Sequence, residues 1–270
     1  MLSKTKTSTC QQQKIEATID ATANEVTFTP ISRNGEWRPN HCTPQHHVAI
    51  IIPFRNRSDQ LRTLLPILHS LLQFQLLYYQ IFVVEQNNSN VPFNKGRLMN
   101  FGFTEVTKRN GHSLDYVIFH DVDLIPINVN NSYWCSDGRP RHLSVAVDTF
   151  NFSLPYNDLI GGVLCISVRD FITINGFSNL YWGWGGEDDD LNKRLKSAGL
   201  LISRPNAEIG CYKMLRHRSS AAGFRSKRLK LLGGALRRRR FDGLNSVSCK
   251  LLSVTYYDLY VHMFVDVVPE

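Results

Sequence analysis

The sequence has no unbroken run of 18 apolar residues in its 270 positions, so it carries no membrane-spanning helix and no convincing signal peptide. It also has no C-x-x-C pair. Cys10, Cys42, Cys135, Cys165, Cys211 and Cys249 are spread along the chain, which argues against a zinc site and permits up to three disulfides. Neither common glycine-rich phosphate loop occurs, and no internal repeat is visible. The P-loop, the dinucleotide fingerprint and solenoid architectures are therefore set aside.

What is present begins with charge. The net charge of +8 suggests an anionic partner, but eleven of the 31 basic residues lie between Lys213 and Arg240, including the run Arg237-Arg238-Arg239-Arg240. A solvated basic loop accounts for this run, with contact to a diphosphate or a membrane surface as the sharper alternative. No nucleic-acid recognition module is recognisable, so no nucleic-acid partner is expected. Four N-x-S triplets, at Asn56, Asn87, Asn130 and Asn151, are compatible with a secretory-pathway lumen.

Residues 1–45 are polar and irregular and read as an N-terminal, stem-like arm; residues 46–270 read as one catalytic-sized domain. Val48 to Ile52 is a short apolar run stopped by Pro53, which predicts a strand buried on both faces. Ser58 or Asp59 can cap a helix whose Leu61, Leu64, Leu65, Leu68, Leu71 and Leu72 recur at helical spacing. A strand at Ile81–Val84, a helix over Lys95–Thr107 and a strand at Tyr116–Phe119 follow. This β-α-β-α-β order predicts an α/β fold with an open, largely parallel sheet of nucleotide-binding type. Further on, the pattern predicts a strand at Val163–Ser167, a helix from about Asp189 to Ala198, and strands in the tail from Leu251 to Val267.

Ligands of such sheets bind beyond the carboxyl ends of the strands, where Pro53-Phe54-Arg55-Asn56-Arg57 and Asp121-Val122-Asp123 both fall. Two carboxylates at a strand end supply the oxygens a hard divalent cation needs; Asp favoured in a turn is the plainer reading. Arg55 and Arg57 suit a diphosphate or a nucleoside, or else a surface ion pair. Met214 and His217, three apart, combine a soft and a common metal donor, although a core Met beside a surface His explains the pair alone. In Trp182-Gly183-Trp184-Gly185-Gly186-Glu187-Asp188-Asp189-Asp190, indoles suit sugar faces and carboxylates suit hydroxyls. The glycines allow a close approach or a moving lid, and four adjacent acids can raise one pKa toward that of a general base. A helix N-terminus dressed with acids explains Asp189 and Asp190 but not the tryptophans and glycines.

These segments, with Phe93-Asn94-Lys95, Phe152-Ser153-Leu154-Pro155-Tyr156 and Asp242-Gly243-Leu244-Asn245-Ser246, resemble the β-1,4-galactosyltransferase family, in order over residues 42 to 266. The resemblance implies a single catalytic domain with the open mixed sheet of the GT-A glycosyltransferase type. It implies an inverting, Mn²⁺-dependent hexosyltransferase of the Golgi lumen, anchored as a type II membrane protein by a segment absent from this sequence. It further implies Asp123, Met214 and His217 as manganese ligands and Asp188 as the base that deprotonates the acceptor. Pro53, Phe54, Arg55, Asn56, Arg57, Phe93, Asn94, Lys95, Asp121, Val122, Asp123, Leu159, Gly162, Trp184 and His217 fall on donor-binding positions. The family often has Arg where Lys95 stands. Gly186, Glu187, Asp188 and Asp189 fall on acceptor positions, Trp184 on the lid, and Arg228 on an acceptor contact reached across a loop that departs from the family's usual Asn-Pro-containing segment.

Leu159 stands where vertebrate-type members carry a Tyr that crowds the donor sugar's 2-position. Leu there resembles the invertebrate N-acetylgalactosaminyl-transferring members, since a smaller apolar wall admits an acetamido group. The expected donor is UDP-GalNAc, with UDP-Gal as the alternative, and the expected acceptor a terminal GlcNAc of a glycoprotein or glycolipid glycan. A catalytically inactive carbohydrate-binding module is the rival from another class; it is disfavoured because Asp123, His217 and Asp188 are all present. One family disulfide matches Cys10–Cys42. The other joins the position of Cys135 to a third-strand Cys, where this sequence has Tyr116, so Cys135 lacks that partner and the last four cysteines stay unassigned.

Overall fold

The computed structural model describes residues 9–10, 29–31, 34–87, 91–216 and 225–267. In chain order its strands and helices are β1 (Glu36–Trp37), β2 (His47–Phe54), α1 (Ser58–Phe74), β3 (Tyr78–Gln86), α2 (Lys95–Asn110), β4 (Tyr116–His120), β5 (Leu124–Pro126), β6 (Arg141–His142), β7 (Ala146–Val147), β8 (Val163–Ser167), α3 (Val168–Thr173), α4 (Glu187–Ser197), β9 (Cys211–Met214), α5 (Arg225–Gly233), α6 (Ala235–Arg238), β10 (Lys250–Tyr256) and β11 (Val261–Asp266).

The main sheet runs β10-β11-β3-β2-β4-β8-β6, with β1 added to β3, and a small sheet runs β5-β9-β7. The pairs β11/β3, β3/β2 and β2/β4 are parallel, while β4/β8, β8/β6 and β10/β11 are antiparallel. The expected open mixed sheet is therefore present, with the parallel core where the β-α-β-α-β pattern placed it. Side-chain alternation along β2 explains its uniform burial. Val48, Ile50, Ile52 and Phe54 pack on the α1 face, whereas Ala49 and Ile51 pack on the opposite face with Leu98, Phe101 and Val106 of α2 and with Leu191 and Leu195 of α4. The six leucines of α1 are all buried, as their spacing required.

Several local expectations are corrected. Pro53 does not stop the first strand. It continues β2 opposite Val84, and because the ladder to β4 has ended at Ile51, the missing N–H costs no bond on that side. Neither Ser58 nor Asp59 caps α1: the cap position is Arg57, and no side chain makes the cap bond. Part of the arm is regular, since β1 pairs with β3, and Cys10 and Cys42 are disulfide-bonded. Cys135 does have a neighbouring thiol, Cys165 of β8, at 3.0 Å between sulfurs. Strand β8 lies beside β4, so the sheet supplies from the next strand what Tyr116 does not. Among the described residues no helix is long and apolar enough to cross a membrane.

The basic run is only partly a solvated surface. Arg237 and Arg240 are exposed, but Arg238 turns inward to Asp190 at 2.9 Å and Asp242 at 3.3 Å. Asp190 is fully buried, bonded to Arg194 at 2.7 Å and to the Tyr181 hydroxyl at 3.0 Å, so it is no mere helix decoration. Asp242 closes the network by accepting from Ser178 and the Asn179 amide, which gives the Asp242-Gly243-Leu244-Asn245-Ser246 segment a structural role. Removing one partner strands a buried charge, so Asp190→Ala is expected to lower the unfolding free energy by about 3–5 kcal/mol, read from urea denaturation.

Candidate active site

Because β2 and β4 are parallel, their carboxyl ends open on one edge, and the first delivers Arg55 and Arg57 while the second delivers Asp121 to Asp123. Antiparallel pairing then sets Leu124 of β5 opposite Met214 of β9, and the Leu215 amide donates to the Asp123 carbonyl at 2.8 Å. This brings the Asp-x-Asp segment and Met214, 91 positions apart, to one wall. Asp148 fixes the latter by accepting from the Met214 amide at 2.9 Å. Helices α2 and α4 aim their N-termini at the same place, contributing Lys95 and Glu187. The enclosed cleft has a volume of about 550 Å³ and is lined by Pro53, Arg55, Arg57, Phe93, Lys95, Asp121, Val122, Asp123, Phe150, Gly183, Trp184, Gly185, Glu187 and Met214.

Charge organises the floor. Lys95 reaches Asp121 at 2.6 Å and Glu187 at 3.8 Å; burial opposes its charge, but these carboxylates hold it protonated above its ordinary value. Burial, reinforced by the adjacent Asp188, pushes Glu187 up to about 7, with Lys95 opposing. Asp188 is also raised, by burial first, with Lys95 opposing and Asp189 adding to the shift. Oxygen Oδ1 of Asp188 accepts from the Asp189 amide at 2.9 Å, and Oδ2 rests where a Cβ on Gly161 would stand, so a larger residue there would displace the carboxylate. Oxygen Oε2 of Glu187 is buried without a hydrogen-bond partner among the described residues. A buried acceptor in that state is costly alone and satisfied by a ligand hydroxyl. The adjacent acids thus perturb one another as expected of a proton-accepting site.

The loop at the cleft is rich in glycine. Gly183, Gly185 and Gly186 all have left-handed backbones, at φ of 79°, 93° and 99°, and Gly186 heads α4 against the Tyr181 ring. Trp184 is 66% exposed, and Arg228 of α5 donates to its carbonyl at 3.0 Å and lies over its ring at 5.8 Å. Arg228, expected at an acceptor contact, therefore meets Trp184 in this arrangement. Trp182 does not present a free face, because Arg97 stacks on it at 5.4 Å and it packs on the core. Of the two indoles expected to meet sugars, only Trp184 is available.

The remaining sequence candidates divide. Arg55 is pinned over Phe93 at 5.2 Å and to the Val91 carbonyl at 2.9 Å, which sets the guanidinium at the cleft mouth. Asn94 is not in the lining: it is fully buried, caps α2 by accepting from the Arg97 amide, and donates to the Asn179 carbonyl. Phe54 is in the core, and Asn56 is an exposed left-handed turn residue. Asp189 holds the Tyr156 hydroxyl at 2.9 Å. Gly162 packs against Ser144 and Leu124, and the half-buried Leu159, its carbonyl held by Arg204, is not among the residues that line the cleft. His217 lies outside the described residues. Sequence reasoning missed Phe150, Asp148 and Gly161. Only the Gly161-Gly162 pair carried a local signal, a backbone demanding close approach.

Two family models match the chain, one described as the N-terminal region of glycosyl transferase group 7 over residues 3–136 and one as the N-terminal domain of galactosyltransferase over residues 141–218. Mouse β-1,4-galactosyltransferase 1 is 45% identical over 238 residues, covering 88% of this chain and 59% of the relative. Human β-1,4-galactosyltransferase 4 is 42% identical over 257 residues, covering 94% and 74%. The chain thus spans about three fifths of the length of the curated type 1 relatives it matches, at 59%. The crystal structure of the catalytic domain of Drosophila β-1,4-galactosyltransferase 7 with xylobiose superposes at a TM-score of 0.70 and 28% identity, covering 83% of this chain and 95% of that one. A mutant of the same Drosophila enzyme, in complex with manganese, UDP-Gal and xylobiose, superposes equally at 0.70. Sequence and fold agree, and the chain belongs to the β-1,4-galactosyltransferase family.

Proposed function

We propose that this chain is an inverting glycosyltransferase that moves a sugar from a UDP-sugar onto a terminal GlcNAc in β-1,4 linkage, with residues 46–270 as the catalytic domain and 1–45 as a stem-like arm. The observation that carries the reading is the pair of carboxylates that opens α4: Glu187 lines the cleft together with Asp123, Met214 and Trp184, and Asp188, of raised pKa, stands next to it against Gly161. Asp123 and Met214, with His217, would hold Mn²⁺; a mixed oxygen, sulfur and nitrogen set suits a softer cation than Mg²⁺. When bound, the ion supplies Lewis-acid neutralisation of the departing UDP.

Arg55, Arg57, Phe93 and Lys95 bind and orient the nucleotide diphosphate. Asp188 takes the proton of the acceptor hydroxyl as its oxygen bonds the anomeric carbon and the bond from that carbon to UDP breaks on the opposite face, turning an α donor into a β product. Glu187 offers its unpartnered Oε2 to a sugar hydroxyl. Closure of the Trp184 loop excludes water and suppresses hydrolysis of the donor. Relatives named for galactose transfer, and the Drosophila complex with manganese and UDP-Gal, support this class of reaction. The Cys10–Cys42 disulfide supports an oxidising lumen such as the Golgi.

The donor assignment is UDP-GalNAc, because Leu159 leaves room for an acetamido group on the segment leading to Gly161 and Asp188. The galactose-named relatives favour UDP-Gal as the second reading. Transfer to a β-GlcNAc acceptor with Mn²⁺ is expected to favour UDP-GalNAc, and Leu159→Tyr to swing the donor ratio toward UDP-Gal by about 10–100-fold. A native preference for UDP-Gal would overturn the steric argument and leave the reaction class standing.

A further inference from the structure

The thiols of Cys135 and Cys165 meet on the α1 face of the sheet, inside the core, with sulfurs 3.0 Å apart and both residues buried. They are 30 positions apart in sequence, and each is held in place by independent structure. Cys165 is the central residue of β8, registered against Ile118 of β4 on one side and Arg141 of β6 on the other. Cys135 belongs to the loop between β5 and β6. That loop is anchored from below by Gln75, which donates to the Val129 and Asn131 carbonyls and accepts from the Tyr133 amide. Neither sulfur has slack to move away from the other.

Burial, and Cys135 beside it, push the Cys165 thiol well above its ordinary value, with Arg141 opposing, so the geometry and not a ready thiolate argues for the bond. Arg141 lies close enough to both cysteines to feel their charge, and its Nε is buried without a hydrogen-bond partner among the described residues. That guanidinium only partly offsets the burial that disfavours the thiolate, the attacking species in disulfide exchange, so the exchange belongs to the stage before the core closes. The same chain already carries one disulfide, Cys10–Cys42, so its cysteines are suited to an oxidising compartment.

We propose that Cys135 and Cys165 form a second, core disulfide that staples the β5–β6 loop to β8. The sulfurs need close only from 3.0 Å to about 2.05 Å, within side-chain adjustment. One thiolate attacks a disulfide of an oxidant of the protein-disulfide or glutathione-disulfide class and forms a mixed disulfide. The second then displaces the oxidant's sulfur, so the protein pair loses two electrons and two protons and the oxidant leaves as two thiols. Both sulfurs are buried in the finished fold, so the bond forms during folding. Its functional consequence is mechanical: β8 starts directly after Gly161 and Gly162, the glycines that back Asp188 and Leu124, and the staple fixes that strand in the sheet.

The test uses the chain secreted from eukaryotic cells, denatured without reductant, alkylated and mapped by mass spectrometry. The expected result is a Cys135–Cys165 linked peptide, with only Cys211 and Cys249 alkylated. Alkylation of both Cys135 and Cys165, or linkage of either to Cys211 or Cys249, overturns the proposal. In a second measurement, Cys165→Ala is expected to melt about 5–10 °C below the parent without reductant. That gap should close when both are reduced, since reduction removes Cys10–Cys42 from each equally. A gap unchanged by reductant would mean that only packing was lost and would count against the bond.

Discussion

Asp188→Asn is expected to lower turnover by about 10²–10⁴-fold while leaving UDP affinity nearly unchanged. The amide keeps the size and the contact with Gly161 but cannot take a proton from the acceptor hydroxyl. UDP binding should survive, because the nucleotide is held across the cleft by Arg55, Arg57, Phe93 and Lys95, none of which Asp188 positions directly. Isothermal titration with UDP, set beside kcat, separates the two. Loss of UDP binding in the variant would remove Asp188 from the role of base. The pH profile adds a second reading. Glu187 is pushed up to about 7 by burial and by Asp188, and Asp188 is raised as well, so the pair begins to hold a proton as the medium becomes mildly acidic. Transfer should fall as pH drops through about 7, well above the usual carboxylate range. The effect on stability has the opposite sense. From the ordinary carboxylate range up to about 7 the folded chain binds more protons than the unfolded one, so Glu187's contribution to stability declines as pH rises through that window.

Chelation of the metal is expected to abolish transfer, and Mn²⁺ to restore it far better than Mg²⁺. Asp123, immediately before β5, presents a carboxylate and Met214 of the neighbouring β9 a thioether, and a soft donor discriminates against a cation that demands oxygen ligands. A Lewis acid at the leaving group supplies several kcal/mol, so Asp123→Ala should cost about 10³-fold in kcat/KM at fixed Mn²⁺. The informative control is the metal titration. If excess Mn²⁺ fully rescued Asp123→Ala to parental kcat, the residue would be supporting metal affinity alone. If EDTA-treated enzyme retained full activity, the assignment of Asp123 and Met214 as ligands would fail.

Much of this site was legible in the chain, for reasons that differ by residue. The parallel core was readable because β2, β3 and β4 are continuous apolar runs joined by amphipathic helices, and such strands can only be buried on both faces. Arg55 and Asp121 were readable because strand ends in such sheets face one edge. Asn94 was misplaced because a residue beside a cleft residue need not share its direction: Lys95 starts α2 pointing into the cleft, and Asn94 turns back to cap it. Trp182 was misread for the same reason, its neighbour Trp184 being freed by flanking glycines while Trp182 is clamped by Arg97.

Local pattern by itself determined the buried strands β2, β3, β4 and β8 and the inward faces of α1 and α2, because apolar periodicity depends only on neighbours in sequence, while the resemblance to a known family supplied the roles expected of Asp123, Met214 and Asp188. The tertiary structure alone decided that Arg238 of the basic run turns inward to the buried Asp190, that Phe150 lines the cleft while Asp148 holds the Met214 amide, and that Cys135 faces Cys165. Those relations join segments tens of residues apart and leave no periodic trace, since what sets them is the closing of the β8 and β9 ladders and the burial of charge that follows it.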